Sequence, residues 1–184
     1  MCAFERSEKG MEFSMIKNNS GITLATLIIT VIVITIIATI SVYEGKELIT
    51  KAKVESLETN MLTIQAKTKS YADEIDAKIW TETDKDTARN NEFKAKGFSD
   101  PINLSSEMLE QVDENIKSNY VAYTITGDVL KNMGLDEISG ETYIVVFNKG
   151  DGEYKSMDII YQDGVIYKKE KYFSLSKLHK ALEK

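Results

Sequence analysis

The sequence predicts an α+β protein in which one long N-terminal helix packs on a small antiparallel sheet, with short accessory helices around it. Three observations lead to this fold class. Residues 22–42 contain no charged residue, no Gly and no Pro; apolar positions then recur every three or four residues from Val54 to Ile75; and the last third of the chain reads as short strands separated by turns. The 184 residues allow one membrane helix and one modest soluble domain.

The uncharged run 22–42 is long enough to cross a bilayer. As a helix, its 21 residues would extend roughly 30 Å, which is about the thickness of the hydrocarbon core. A secretory signal would have a shorter apolar region that ends in small residues, so we interpret the run as a retained membrane helix. Hydroxyl residues recur in it at helical spacing, and two interpretations stay open. Each hydroxyl bonds a carbonyl of its own helix, or the hydroxyls form a face that packs against neighbouring membrane helices.

From residue 54 onward the helix becomes amphipathic. Its apolar and semi-apolar positions step alternately by three and four residues; they are Val54, Leu57, Met61, Ile64, Thr68, Tyr71 and Ile75. A coiled-coil seam would produce this stripe, and so would a half-helix that covers a sheet of its own chain. We favour the second, because only about three heptads are sustained and the strands that follow need a cover. The long helix should end near Ile79, with Trp80 in the core.

Residues 81–103 read as a polar connecting region that faces solvent. They are dense in Thr, Asp, Glu, Lys and Asn, and Gly97 and Pro101 would end any local helix. The spacing of the carboxylates suggests a calcium loop, but Arg89 stands where such a loop needs Gly, and Ala88 and Ala95 occupy ligand positions. We therefore expect no metal site.

Short accessory helices are predicted on either side of the strands. Ser105 is placed to cap a helix whose apolar face continues to Ile116, and residues 128–133 form a helical turn that ends at Gly134. Ser174 is placed to cap a final helix, with Phe173 stapled onto Leu178.

The strands of the last third form a predicted antiparallel meander. Residues 142–147 and 154–161 read as two strands, and 121–126 as a separate short one. Asp163 and Gly164 are typical of a two-residue type I′ turn, which would start a third meander strand at 165–172. Residues 104–184 should therefore form the globular part together with 44–80.

The composition excludes several classes of function. His179, near the end of the chain, is the only histidine and Cys2 the only cysteine, so we expect no His-dependent catalytic triad, while His-cluster metal sites and internal disulfides are ruled out by count. The 23 basic and 29 acidic residues give a formal charge of −6, which argues against broad nucleic-acid binding and leaves room only for a local basic patch. We expect no enzymatic activity and no cofactor.

The junction before the apolar run carries a resemblance to a known family. Lys17-Asn-Asn-Ser-Gly21, followed by Ile22-Thr23-Leu24 and the uninterrupted apolar helix, is similar to the processing site of type IV prepilins and pseudopilins, in particular their divergent Gram-positive branch. The resemblance implies a pilin-like fold and cleavage by a prepilin peptidase after Gly21, with methylation of the new N-terminus at Ile22. It divides the chain into a leader (1–21), a transmembrane helix (22–43), the amphipathic continuation (44–80), the polar connection (81–103) and the globular part (104–184).

One position departs from the family pattern. Filament-forming members carry Glu at the fifth position of the mature chain, where this chain has Thr26. A hydroxyl cannot neutralise the N-terminal amine of a neighbouring subunit, so the resemblance implies a minor or tip subunit. Contacts in assembly would fall on the first turns of the helix, at Thr23, Leu24, Thr26 and Thr30.

Two functional hypotheses follow from the sequence. The first is a pilin-like subunit in the cytoplasmic membrane with its C-terminal domain outside the cell, whose partners are the prepilin peptidase, other pilin-like subunits and an assembly platform, and not nucleic acid. The second is a single-pass anchored extracellular domain that binds or senses and never polymerises. The missing Glu favours the second hypothesis, whereas the intact junction and the long helix favour the first.

Overall fold

The computed structural model describes residues 24–149, 154 and 156–183, except for the side chains of 24–26 and 37–47. The chain divides into two compact units, with the boundary between Gly45 and Lys46. The helices are α1 (Leu24–Lys78), α2 (Lys85–Ala95), α3 (Ser106–Gln111), α4 (Glu114–Lys117), α5 (Gly127–Asn132) and α6 (Leu175–Leu182). The strands are β1 (Tyr120–Ile125), β2 (Tyr143–Asn148), β3 (Met157–Tyr167) and β4 (Glu170–Ser174).

The four strands form one antiparallel sheet in the order β1-β2-β3-β4, so the predicted α+β class is confirmed. Five of the six residues of β2 are buried, which means that both faces of this central strand are covered. One face carries Tyr123, Val145 and Ile159, and the other carries Ala122, Ile144 and Ile160. The sheet therefore separates two apolar clusters.

The amphipathic part of α1 covers the first face of the sheet. Val54, Met61, Ile64 and Ile75 are buried and belong to the same apolar cluster as the sheet residues. Every predicted position of the stripe is buried or half-buried, so the interpretation as a cover for a sheet of the same chain is confirmed. Thr68 is buried within this stripe as well.

The second face of the sheet is covered by α3 and α4. Val112 and Ile116 pack there with Val146 and Phe173. The predicted cap at Ser105 is present, since its side chain accepts a hydrogen bond from the Met108 amide. A second cap, at Asp113, separates α4 from α3 in a stretch where the sequence suggested one helix.

The hairpin between β3 and β4 lies five residues later than predicted. β3 runs through Asp163 and Gly164, where the register shifts between Ile160 and Val165 and Gly164 adopts a φ of +68°. The turn is formed by Lys168 and Lys169, at φ +49° and +71°, between the paired residues Tyr167 and Glu170. The Asp-Gly pair is thus a bulge within a strand, because the apolar pairing beyond it continues to Tyr167.

Residues 81–103 are not merely a solvent-facing connection, which corrects the prediction for this region. They contain α2, capped by Asp84, and its Phe93 is fully buried against the rings of Tyr123 and Phe98, with centroids 4.9 and 5.1 Å away. Aromatic side chains bury large areas, so this polar-looking segment supplies a central part of the core.

The placement of Trp80 in the core is also wrong. Its side chain is 74% exposed, the highest value for a large apolar side chain among the described residues. Ile79 takes the buried position immediately before it.

At the other end of the chain α6 begins at the predicted cap Ser174, and Leu175 and Leu178 are buried. Phe173 packs in the apolar cluster on one face of the sheet and Leu178 in the cluster on the other face. The two side chains therefore do not form the predicted staple.

Both outer edges of the sheet are covered. The segment before α3 bonds the edge of β1, where the Ile102 amide donates to the Ala122 carbonyl at 2.8 Å and the Ser99 hydroxyl accepts from the Thr124 amide at 2.8 Å. The amide group of Gln111 covers β4: its Nε2 donates to the Lys171 carbonyl and its Oε1 accepts from the Phe173 amide, both at 2.8 Å.

Candidate functional site

The first candidate site is a stretch of α1 that consists of residues 27–36, here called the apolar segment. It contains eight Leu, Ile or Val residues and two threonines, and no charge. All ten residues are exposed, and seven of the eight aliphatic side chains are at least 50% exposed, with Val33 at 47%. The two hydroxyls bond carbonyls of their own helix, Thr30 to Leu27 and Thr35 to Val31, each at 2.8 Å. These two threonines therefore follow the first of the two interpretations given above.

The exposed surface of the apolar segment is unfavourable in water. Its hydroxyls and backbone groups are bonded within the helix, so it presents to its surroundings mainly aliphatic carbon, which water solvates poorly. Exposed apolar patches of this kind mark sites of contact with protein or lipid. Within the residues that the structure describes fully, no helical stretch is both long and apolar enough to span a bilayer. The predicted span 22–42 extends outside those residues.

The residues predicted to act in processing and assembly are described only in part. Gly21, Ile22 and Thr23 lie outside the described residues. Leu24 is the first residue of α1, and Thr26 is helical in its backbone, while its side chain is not described. Thr30 is exposed in the apolar segment. The described residues of this predicted site, Leu24, Thr26 and Thr30, therefore lie on one continuous helix.

A second candidate is a polar centre where α2 meets α1. Arg89 is 2% exposed, and its guanidinium lies 2.6 Å from Asp76 on α1 and 3.8 Å from Asp86. It also stacks over the ring of Tyr154, 4.1 Å from the centroid. Lys149 bonds Asp86 at 3.0 Å, which raises the pKa of its ammonium group. A groove of about 460 Å³ opens beside this centre.

The polar centre joins elements of the fold through charged and aromatic side chains. Burial raises the pKa of Tyr123, whose hydroxyl donates to the side-chain oxygen of Asn90, and burial likewise raises the pKa of Tyr154. Both phenols therefore stay protonated at neutral pH. Arg89 is always charged and can act only as a donor. The arrangement ties α2 to α1 and to the segment around Tyr154.

A larger groove of about 750 Å³ lies between α1, α4 and α6. Asp158 at its wall is buried, which raises the pKa of its carboxyl group, while hydrogen bonds from the hydroxyl and amide of Ser176 oppose that rise. His179 at its rim contacts Glu58 on α1 at 2.5 Å and Glu183 at 3.3 Å, and the Glu58 bond is the main cause of its raised pKa. Across the described residues, no group of three or more His, Cys, Asp or Glu side chains is arranged to hold a metal ion.

A third surface, here called the lysine groove, lies between the β3–β4 turn and α6. Its volume is about 430 Å³ and its lining residues are Lys168, Glu170, Tyr172, Lys177, Lys180 and Ala181. None of the three lysines forms an ion pair with a described residue. The Tyr172 hydroxyl donates to Glu170 at 2.7 Å, which raises its pKa to about 12. The groove thus presents three ammonium groups and the Glu170 carboxylate around a protonated phenol, with the ammonium of Lys168 5.1 Å from the centroid of the Tyr167 ring.

Sequence reasoning missed the exposed Trp80 and the lysine groove. The clustering of lysines near the C-terminus was a readable signal for the groove, but the position of the β3–β4 turn was needed to bring Lys168 beside α6. Helical spacing was a readable signal for Trp80, because Ile79 follows Ile75 by four residues and continues the buried stripe, whereas Trp80 does not. No protein family, curated protein or solved structure matches this chain.

Proposed function

We propose that this chain is a pilin-like structural subunit. In this proposal a prepilin peptidase cleaves after Gly21, Ile22 becomes the methylated N-terminus, and residues 22–43 anchor the mature chain in the cytoplasmic membrane with the C-terminal domain outside. Subunits then assemble through their N-terminal helices, including Thr23, Leu24, Thr26 and Thr30, into a type IV pilus or a filament of a secretion or competence system.

The observation that carries the proposal is the apolar segment. Eight aliphatic side chains exposed in succession on one helix would be unfavourable in water, with each buried methylene group worth about 0.8 kcal/mol. Lipid or the helices of neighbouring subunits would cover them. The junction Lys17 to Gly21 directly precedes this helix in the sequence, which connects the exposed surface with a processing site.

The packing of the second half of α1 supports the proposal from another direction. A single helix that is wholly apolar in its first part, and then buries one stripe against an antiparallel sheet, is the arrangement that the pilin resemblance implies. Here Val54, Met61, Ile64 and Ile75 form that stripe.

Thr26 favours a minor or tip subunit over the bulk subunit of a filament. A subunit at the tip has no neighbour on one side whose N-terminal amine needs a counter-charge. The absence of Glu at this position also supports the alternative function, an anchored extracellular domain that binds or senses without polymerising. The two differ in whether other pilin-like chains accompany the protein.

The test is analysis of the intact mass and the N-terminus of the full chain produced with and without a prepilin peptidase. We expect an N-terminus at Ile22 only when the peptidase is present, and an unprocessed chain for Gly21→Ala. Ser20→Ala is the matched control, since it changes a neighbouring residue and leaves the Gly in place. A chain that keeps residues 1–21 with the peptidase present would overturn the proposal.

Sedimentation of sheared surface filaments separates the two functions once processing is established. A pilin-like subunit is expected to co-purify with other processed subunits. Recovery of the processed chain as a membrane-bound monomer, without such partners, would favour the anchored domain.

A further inference from the structure

We propose that the lysine groove of one subunit receives the Trp80 corner of a second copy of the same chain. The Trp80 corner is defined here as the exposed residues Trp80, Glu82 and Asp84 between α1 and α2. This inference rests on the proposed role as an assembling subunit, and it adds a contact between globular parts to the contact between N-terminal helices.

The Trp80 corner has the composition of a binding surface. Trp is the residue type most enriched in energetic hot spots of interfaces, and this one is 74% exposed. Its nearest cation is Lys85 of its own chain, 5.4 Å from the ring centroid. Glu82 is exposed without an ion pair to a described residue, and Asp84 accepts hydrogen bonds from Thr87 and from the backbone of Asp86, which hold the pKa of its carboxyl below the usual value. The corner therefore presents a largely exposed Trp ring beside two carboxylates, with Lys85 over one face of the ring.

The lysine groove is concave and opposite in charge to the corner. Its lining contains three lysines and one carboxylate, Glu170, and the Tyr172 hydroxyl donates a hydrogen bond to that carboxylate. Lysine ammonium groups attract carboxylates and also the face of a Trp ring. The charge of the whole sequence is divided in the same way. Residues 168–184 contain six Lys and two Glu, whereas the rest of the chain contains 17 Lys or Arg and 27 Asp or Glu.

The two surfaces lie far apart on one molecule. His179, between the groove residues Lys177 and Lys180 on α6, contacts Glu58 of α1, and Trp80 follows 22 residues later, just beyond the end of α1 at Lys78. At helical rise this separation is about 30 Å. A chain therefore cannot fill its own groove with its own corner. A contact between two different surfaces of identical chains repeats without closing unless its rotation forms a ring, so it is suited to a filament.

The test is disulfide cross-linking between full chains purified in detergent. In a Cys2→Ser background, one chain carries Thr83→Cys beside the corner and the other carries Ala181→Cys in the groove. We expect a mixed dimer on oxidation, and a ladder of multimers when both substitutions are in one chain. Thr83→Cys mixed with Asn132→Cys is the matched control, because residue 132 is exposed and lies outside both surfaces.

Substitutions in the cross-linking chains then identify the groups involved. Trp80→Ala, or Lys177→Glu with Lys180→Glu, should lower the yield of mixed dimer about fivefold or more. Lys67→Glu with Lys131→Glu makes the same change of charge at exposed lysines elsewhere and should leave the yield unchanged. Glu82→Lys in one chain should restore cross-linking to a partner that carries Lys180→Glu.

Several outcomes would overturn the inference. A yield no higher than that of the control pair would do so, and so would an undiminished yield after the reversal of both groove lysines. A third outcome is that no cross-link forms, but the chain binds phosphatidylglycerol vesicles or duplex DNA and loses this binding with Lys177→Glu and Lys180→Glu. This result would assign the groove to a polyanion instead. If the chain is processed at Gly21 and forms filaments but gives no cross-link, this contact alone is rejected. If the chain forms the cross-link in detergent but is never processed, the pilin-like route alone is rejected.

Discussion

The two parts of α1 belong to one helix but differ in the exposure of their apolar side chains. In the apolar segment all ten side chains are exposed and none is charged. In the part that follows residue 53, apolar side chains form one buried stripe, and most of the remaining surface is polar or charged, with Leu62 as an exposed exception. The later part is covered within the chain, by the sheet, whereas all ten side chains of the apolar segment are exposed.

The largest expected effect comes from the buried ion pair at the end of the later part. Asp76→Ala should lower the free energy of unfolding by about 3–5 kcal/mol, because it removes the carboxylate that lies 2.6 Å from the buried guanidinium of Arg89. Asp73→Ala is the matched control on the same helix, since it removes an exposed pair with Lys69 and should lower stability by less than about 1 kcal/mol. Denaturant titration in detergent measures both. Equal losses would mean that the burial of Arg89 has no energetic consequence.

Trimming one aliphatic side chain in each part tests the comparison directly. Ile64→Ala removes a fully buried side chain and should lower the free energy of unfolding by about 2–5 kcal/mol. Ile32→Ala trims a side chain that is 52% exposed, and should change it by less than about 0.5 kcal/mol. The same titration followed by circular dichroism gives both values. A loss for Ile32→Ala as large as that for Ile64→Ala would show that the apolar segment packs within its own chain.

A charge placed in the apolar segment tests what surrounds it. Ile32 lies at the centre of the run 22–42, and Ile32→Lys should disfavour insertion into the membrane by about 2.5–3.5 kcal/mol. We expect the chain to shift from the membrane fraction to the soluble or aggregated fraction of lysed cells. Leu62→Lys makes the same change at an exposed position in the later part and should leave the distribution unchanged. If both variants stay in the membrane fraction, the apolar segment is not the anchor.

The smallest expected effect is a dependence on pH where α6 meets the later part of α1. The bond to Glu58, with Glu183 nearby, raises the pKa of His179 above 6.5 in the folded chain. The contribution of this pair is therefore complete below pH 6.5 and is lost as the pH rises through the folded pKa. The midpoint of denaturation, compared between the native chain and His179→Gln, should differ slightly below pH 6.5 and converge at higher pH. Glu58→Gln should weaken this dependence, since the smaller influence of Glu183 remains, and a difference that grows with pH would contradict the prediction.

Periodicity predicted the parts of the fold that depend on one local pattern. The stripe from Val54 to Ile75 and the caps at Ser105 and Ser174 were readable because each is decided by the spacing of a few neighbouring residues. The β3–β4 turn was not, because Asp163-Gly164 satisfies a turn and a bulge equally well. The choice was made by the pairing of Val165 with Tyr172, which no local pattern contains.

The candidate surfaces depended on tertiary packing even more strongly. Phe93 sits in a polar stretch, and its burial follows from the position of α2 against Tyr123 and Phe98. Trp80 looked like a core residue by type alone, yet the core at that level is already filled by Ile79. The lysine groove required the turn at Lys168 to meet α6. The processing junction, by contrast, is entirely local in sequence, and for that reason it could be proposed without any structure.

The covered edges of the sheet have a consequence for a protein held at high local concentration. Exposed strand edges pair readily with strands of other molecules, and this pairing is a common route to aggregation. Here the side-chain amide of Gln111 occupies the donor and acceptor positions that a neighbouring strand would use on β4, and the segment at Ser99 and Ile102 does the same on β1. Crowded copies can therefore meet side by side without exchanging strands, and their association is left to side chains.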